Sequence, residues 1–247
     1  MEGTPIRDHR FYGRRKGKKL KESRVVLLES FLPGVRLPAF EKDEVRDPAS
    51  FFPFEPEQVW LEVGFGGGEH LAEQSLRRPS VGFIGAEVFL NGITSLLVHL
   101  TGMEKRGDVD PETIGLKEGR TDNVRVYDND VRDLFPHFPD GSFDRIYVLF
   151  PDPWPKKRHR DRRFIGPKNI PVLARLLKKG GELRVASDDM TYIRWALQHL
   201  TGSDAFEWTA EEAGDWREPP ADWVNTRYEQ KALAKGKKPV YLVFRRV

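Results

Sequence analysis

Hydrophobic and polar positions along the chain fall into two periods. Val59 to Val63 is a short apolar run closed by Gly64, Gly66, Gly67 and Gly68, with Leu71, Ala72, Ser75 and Leu76 at helical spacing behind it. Gly82 to Ala86 predicts a second strand. Leu90 to Lys105 predicts a helix with Ile93, Leu96, Leu97 and Leu100 on one face. Val124 to Tyr127 is a third strand, followed by a short helix near Val131 to Phe135. Phe143 to Phe150 is nearly continuous in apolar residues, as expected of a strand buried on both faces of a parallel sheet. Val172 to Lys178 is helical and expected to stop at Gly180-Gly181. Leu183 to Ala186, a strand near Phe206 and Val240 to Phe244 complete the strands, with a helix over Tyr192 to Leu200. Strands alternating with helices predict an α/β fold with a doubly wound, mostly parallel, seven-stranded sheet.

Two stretches lack this order. Residues 1–24 carry no periodic apolar positions and are expected to be a flexible tail. Residues 25–247 form one domain, whose first part, 25–58, packs over it without deep regular structure. Arg106 to Asp122, rich in glycine and charge, is expected to be a surface loop or insertion.

Composition narrows the function classes. The 247 residues contain no cysteine, which excludes disulfides, thiolate metal sites and cysteine nucleophiles. No apolar run is long enough to span a membrane, and the basic N-terminus is no secretory signal, so a cytoplasmic chain is expected. The net charge is only +3, yet the 41 Lys and Arg are clustered. Half of the residues from Arg7 to Arg24 are basic. A second run is Lys156-Lys157-Arg158-His159-Arg160-Asp161-Arg162-Arg163, and a third dots the chain from Arg227 to Arg246. Segregated positive charge with interspersed aromatics (Phe11, Tyr12, Trp154, Phe164, Tyr228) points to a polyanion such as RNA.

The glycine turn reads Gly64-Phe65-Gly66-Gly67-Gly68-Glu69, which fails the dinucleotide pattern at its third glycine. Glu69 would also face a pyrophosphate badly, so the ligand expected here has no phosphate, and S-adenosylmethionine has none. Glu62 ends the first strand. Glu87 ends the second, placed for ribose hydroxyls, and Asp130 follows the third, within reach of an adenine amino group. After the fourth strand, two prolines flank Asp152 and restrict its backbone, aiming one carboxylate at the crevice with Trp154 beside it. Asp188 follows the fifth strand, where it or Asp189 caps a helix. Thr226 and Glu229 also fit a capping box.

The segments L-E-V-G-F-G at 61–66, G-A-E at 85–87, F-P-D-P-W-P-K-K-R-H at 150–159, A-S-D at 186–188 and T-R-Y-E at 226–229 resemble the bacterial tRNA (guanine-N7)-methyltransferase family over roughly residues 55 to 247. The stretch after Lys105 is longer than usual there. The resemblance implies the class I methyltransferase fold, S-adenosylmethionine as methyl donor, tRNA as partner, and guanine 46 of the variable loop as target. It implies that Glu62, Gly64, Gly66, Glu87, Asp130 and Asp152 bind the cofactor, with Asp152 also the catalytic acid. Lys156, Asp188, Thr226, Arg227, Tyr228 and Glu229 would meet the tRNA. No metal and no obligate protein partner are implied. The Pro-Asp-Pro-Trp turn differs from the Asn/Asp-Pro-Pro-Tyr turn common in methyltransferases of exocyclic amines and proteins. A catalytically silent RNA-binding relative would be expected to have lost acids from the crevice.

Overall fold

The computed structural model describes residues 12–103 and 113–247. Arg7, Arg10 and Phe11 of the first basic cluster, Lys105, and residues 106–112 of the predicted loop lie outside them.

The chain from Glu22 is more regular than its composition suggests. Helix α1 (Glu22–Val26) runs through a π-helical turn (Leu27–Phe31) into α2 (Leu32–Val35), and Leu27, Leu32 and Val35 are buried. Pro33 and Gly34 disguise this stretch in the sequence, but Pro33 sits in the first turn of α2, where a missing N–H costs nothing. Beyond α2, Leu37 N donates to Val126 O at 2.8 Å, and Arg36 bridges Val126 in parallel. The segment therefore covers the edge of the sheet, which an unpaired strand would leave open.

The sheet alternates with helices as expected. Strand β1 (Gln58–Val63) leads to α3 (Glu69–Arg77), β2 (Val81–Ala86) to α4 (Leu90–Thr101), and β3 (Val124–Tyr127) to 3-10 turns at Val131–Asp133 and Phe135–His137. Strand β4 (Phe143–Leu149) is followed by a 3-10 turn (Lys157–Arg162) and α5 (Ile170–Leu176). Then come β5 (Leu177–Ser187), α6 (Met190–Thr201), β6 (Phe206–Trp208), α7 (Gly214–Arg217), α8 (Arg227–Leu233) and β7 (Val240–Arg246). Strand order is β3-β2-β1-β4-β5-β7-β6, and β7 is antiparallel to both of its neighbours. The seven-stranded, mostly parallel sheet is the fold expected.

Alternate side chains of each strand go to opposite faces. Trp60, Phe83 and Tyr147 pack toward Leu71 of α3 and Leu96 and Leu97 of α4. Leu61, Ile84, Ile146 and Val185 pack toward Leu173 of α5 and Ala196 of α6. Order reverses between β1 and β4, so the crevice where α/β folds bind ligands opens at the carboxyl ends of those strands.

Two predicted boundaries move. Helix α4 ends at Thr101, because Gly102 takes a left-handed conformation (φ 75°) and its N–H closes on Val98 O. The Gly180-Gly181 pair does not cap α5, which ends four residues earlier and passes directly into β5. The glycines instead let two backbones approach: a Cβ on Gly181 would stand 2.9 Å from Asp144 O, where the β4–β5 register shifts.

Candidate active site

The glycine turn after β1 uses three left-handed residues, Gly64 (φ 66°), Gly66 (φ 58°) and Gly68 (φ 78°), which side chains disfavour. Gly64 N donates to Ala86 O at 2.8 Å, tying the turn to the end of β2. A Cβ on Gly92 would collide with the Gly66 carbonyl, so the first turn of α4 packs directly on this backbone. A cavity of about 1120 Å³ opens at the carboxyl ends of the strands, and Gly64, Gly66, Glu87, Asp130, Asp152 and Tyr228 all line it. These six were selected from the sequence, and the fold brings them together. Glu62, Lys156, Asp188, Thr226, Arg227 and Glu229 lie outside its lining.

The acids at the ends of β1, β2 and β3 are all engaged. Glu87 accepts from Gly66 N at 2.7 Å through one oxygen and from Val88 N and Phe89 N, both at 2.8 Å, through the other. Burial raises its pKa above the ordinary value, the three N–H bonds oppose that shift, and the nearby charge of Asp152 adds to it. Asp130 is held by the guanidinium fork of Arg132, at 2.6 and 2.9 Å, and caps the following 3-10 turn. Glu62, only 4% exposed, accepts from Nδ1 of the equally buried His70 at 2.7 Å.

The turn after β4 has a different character. Phe150 (φ 48°) and Trp154 (φ 41°) are both left-handed, an uncommon and costly state for bulky side chains. Between them Asp152 is exposed, and its carboxylate has no hydrogen bond or ion pair with any described residue. Trp154 packs edge-on to Tyr12 (6.1 Å) and to His159 (5.7 Å), while the Arg162 guanidinium lies 4.2 Å from the Tyr12 ring centre. Local desolvation, then the charges of Arg162, Arg158 and Lys156, lower the His159 pKa, which keeps the imidazole neutral near pH 7.

The residues expected to face a substrate divide in two. Lys156, Arg227 and Tyr228 are exposed, and Tyr228 reaches the cavity across Gly66. Asp188 pairs with Lys237 at 2.5 Å, while Asp189 caps α6 by accepting from Thr191 N and Tyr192 N, both at 2.9 Å. Thr226 and Glu229 complete a capping box at the start of α8. Glu229 also accepts from Trp223 Nε1 at 2.8 Å and from the Tyr241 hydroxyl, so its carboxylate faces inward.

The model of a family described as a putative methyltransferase matches residues 56–242. A tRNA (guanine-N(7)-)-methyltransferase of Rhodospirillum rubrum is 50% identical, with 100% of this chain aligned to 91% of that one. The like-named protein of Paramagnetospirillum magneticum is 51% identical, covering 96% and 92%, and that of Ruegeria pomeroyi 44%, covering 99% and 98%. The chain belongs to the tRNA (guanine-N7)-methyltransferase family. Among solved structures, 16S rRNA methyltransferase KamB aligns with 78% of this chain and 89% of its own, at a TM-score of 0.51 and 13% identity. That likeness concerns the fold alone.

Within this member of the family, several residues at the site gave no sequence signal. His70 links Glu62 to Gln74 (3.3 Å), and Gln74 donates to Asp222 O at 2.8 Å. Asp222 in turn receives Arg184 Nη1 at 2.5 Å and Arg145 Nη1 at 2.9 Å. A partly buried polar chain thus ties the end of β1 to the segment before α8. Residues 12–18 run along the rim. Leu90 N donates to Arg15 O, Gly17 N to Asn91 Oδ1 and Arg15 Nη2 to Asn129 Oδ1, each at 2.9 Å, and Tyr12 lines the cavity.

Proposed function

We propose that this protein transfers a methyl group from S-adenosylmethionine to N7 of a guanine in tRNA, guanine 46 of the variable loop, in the cytoplasm. The observation that carries the reading is the Asp152 carboxylate, which has no partner among the described residues. It stands on a strained turn at the mouth of a crevice lined by acids and glycines, and the basic run leaves that same turn. The full-length likeness to relatives named as tRNA (guanine-N(7)-)-methyltransferases supports the substrate.

The crevice suits a ligand without phosphates. At the N-terminus of α3, where a phosphate would bind, the Glu69 carboxylate lies against the place a Gly67 Cβ would occupy. A Cβ on Gly64 would meet nothing within 4 Å, so its absence leaves open cavity beside the turn. Gly64, Gly66, Glu87 and Asp130 would hold S-adenosylmethionine. Glu87 keeps one of roughly four carboxylate acceptor positions for a ribose hydroxyl. Glu62 would act through His70, which fixes the floor of the turn. When bound, the cofactor supplies an electrophilic sulfonium methyl, whose bond to sulfur breaks as the bond to N7 forms and leaves its electron pair on sulfur.

Guanine N7 presents a lone pair and no proton, so no general base is required. The protein's part is positioning and electrostatics. The ring gains positive charge as it is methylated, and Asp152 stabilises that charge while accepting N–H groups of the guanine edge. Lys156, Arg227 and Tyr228 would hold the RNA close by. Asp188 would do so after parting from Lys237, and Thr226 and Glu229 would set the position of α8. The basic segment 1–24 would extend the contact along the tRNA, with 25–247 as the methyltransferase domain.

The test is direct: incubate the protein with tRNA and S-adenosylmethionine and analyse the nucleosides by mass spectrometry. N7-methylguanosine at position 46, located by reduction and aniline cleavage, is expected. A methyl group on an exocyclic amine, or none at all, overturns the reading.

A further inference from the structure

The basic run after Asp152 is not one surface. Lys156, Lys157, Arg158 and Arg160 are exposed, whereas Arg163 at its end is only 8% exposed. Its Nε donates to Pro153 O at 3.0 Å and its Nη2 to Trp154 O at 3.1 Å. The guanidinium also lies 5.0 Å from the Trp195 ring centre on α6. Trp195 Nε1 donates to Ile165 O at 2.8 Å, and Ile165 N donates to the Tyr192 hydroxyl at 3.2 Å. The residues after the run are thus fastened to α6, and Arg163 reaches back from that anchor to the turn.

The two carbonyls it grips follow Asp152 directly, and the second belongs to Trp154, one of the left-handed residues. Such a backbone persists only where its surroundings over-determine it. We propose that Arg163 is the positioning residue of the Asp152 turn, aiming the carboxylate by clamping the 153 and 154 carbonyls, and that it contacts no RNA phosphate. The inference rests on the reading of Asp152 given above. The planar fork matters here, because a lysine ammonium retains the charge without presenting two fixed donors.

Arg163→Lys and Arg163→Ala in the full-length protein test this, with methyl transfer to tRNA followed at saturating tRNA and cofactor. Misplacing a reacting group by about 1 Å costs on the order of 100-fold, so kcat should fall about 10–100-fold in both variants. KM for the cofactor and the slope of log tRNA affinity against log salt should stay unchanged. Millimolar guanidinium should restore part of the Arg163→Ala rate, and adding Arg163→Lys to Asp152→Asn should slow it no further. Cofactor affinity reports the folded fraction, so Arg163→Lys remains informative if Arg163→Ala unfolds. Normal kcat in Arg163→Lys, or a salt slope lowered by about 0.7–0.9 in Arg163→Ala, makes Arg163 one more phosphate contact and overturns the proposal. If Asp152→Asn is slow while Arg163→Lys is normal, this inference alone fails. Normal turnover of Asp152→Asn removes both.

Discussion

The crevice at the ends of β1 to β3 and the turn after β4 treat their carboxylates in opposite ways. Glu62, Glu87 and Asp130 are buried, and each is satisfied by a neighbour: His70, three backbone N–H groups, or the Arg132 fork. Asp152 is exposed and has no partner among the described residues, and the unfavourable feature around it lies in the backbone at Phe150 and Trp154. A buried charge left without partners would cost several kcal/mol, so the crevice acids need their ties to exist at all. A solvated carboxylate needs none, so it can be presented to a ligand without first breaking a bond. The crevice acids are organised around their own hydrogen bonds, whereas the Asp152 carboxylate is left open to solvent.

The largest expected effects probe the two sides separately. Asp152→Asn keeps shape and removes charge, so turnover should fall about 100–1000-fold with cofactor affinity mostly retained. Single-turnover methyl transfer and calorimetry measure the two quantities, and near-normal turnover would take Asp152 out of the mechanism. His70→Ala acts on the other side. It leaves Glu62 buried without its partner and should cost about 3 kcal/mol of stability, read from urea unfolding. A loss under half that size would show that Glu62 finds another donor and that its tie to His70 is dispensable.

The same contrast explains what could be read in the chain. Strand and helix periods, the glycine turn, Glu87, Asp130 and Asp152 are local patterns, and the fold assembles them as those patterns imply. Contacts between distant parts leave no such trace. Gln74 meets Asp222 across 148 positions, and Gly17 meets Asn91 across 74. Glycine announces left-handed backbone in a sequence, but Phe150 and Trp154 do not, so the strain beside Asp152 was invisible. Composition also placed Arg163 with its exposed neighbours, because a run of basic residues looks uniform until burial separates its members. The capping-box pattern at Thr226 and Glu229 was legible, and there the local reading is the one the side chains adopt.

A smaller effect should come from Glu87→Gln. An amide can neither accept from three N–H groups nor receive a ribose hydroxyl as strongly, and a hydrogen bond to a charged group is worth about 1.5–3 kcal/mol. Cofactor affinity should drop at least about 10-fold. The pH dependence sharpens the point. Burial raises the folded pKa of Glu87 above its ordinary 4.5, so between those two values the native chain binds more protons than the unfolded chain. The cost of burying this charge is therefore present above the folded pKa and relieved as pH falls toward 4.5. Cofactor binding should run the other way, weakening on acidification as the acceptor is protonated. Calorimetry across this range should find that dependence in the wild type and not in Glu87→Gln; identical profiles would separate Glu87 from the cofactor.

The smallest effect lies at the outer edge of the turn and separates binding from aim. Lys157 is exposed and has no role in holding Pro153 or Trp154, so its charge can only attract phosphate. Lys157→Ala should lower the slope of log affinity against log salt by about 0.7–0.9. It should leave the rate at saturating tRNA intact, because binding shared by ground and transition states affects KM alone. Lys156 lies two residues beyond Trp154 and opens the 3-10 turn at Lys157–Arg162, one residue nearer Asp152 along the chain than its neighbour. Lys156→Ala should therefore lower the salt slope equally and slow the saturated reaction as well. Salt titrations of tRNA binding and single-turnover rates on both variants decide the matter. If saturating tRNA restores Lys156→Ala fully, the aim of the guanine depends on the Asp152 turn without help from the run that follows it.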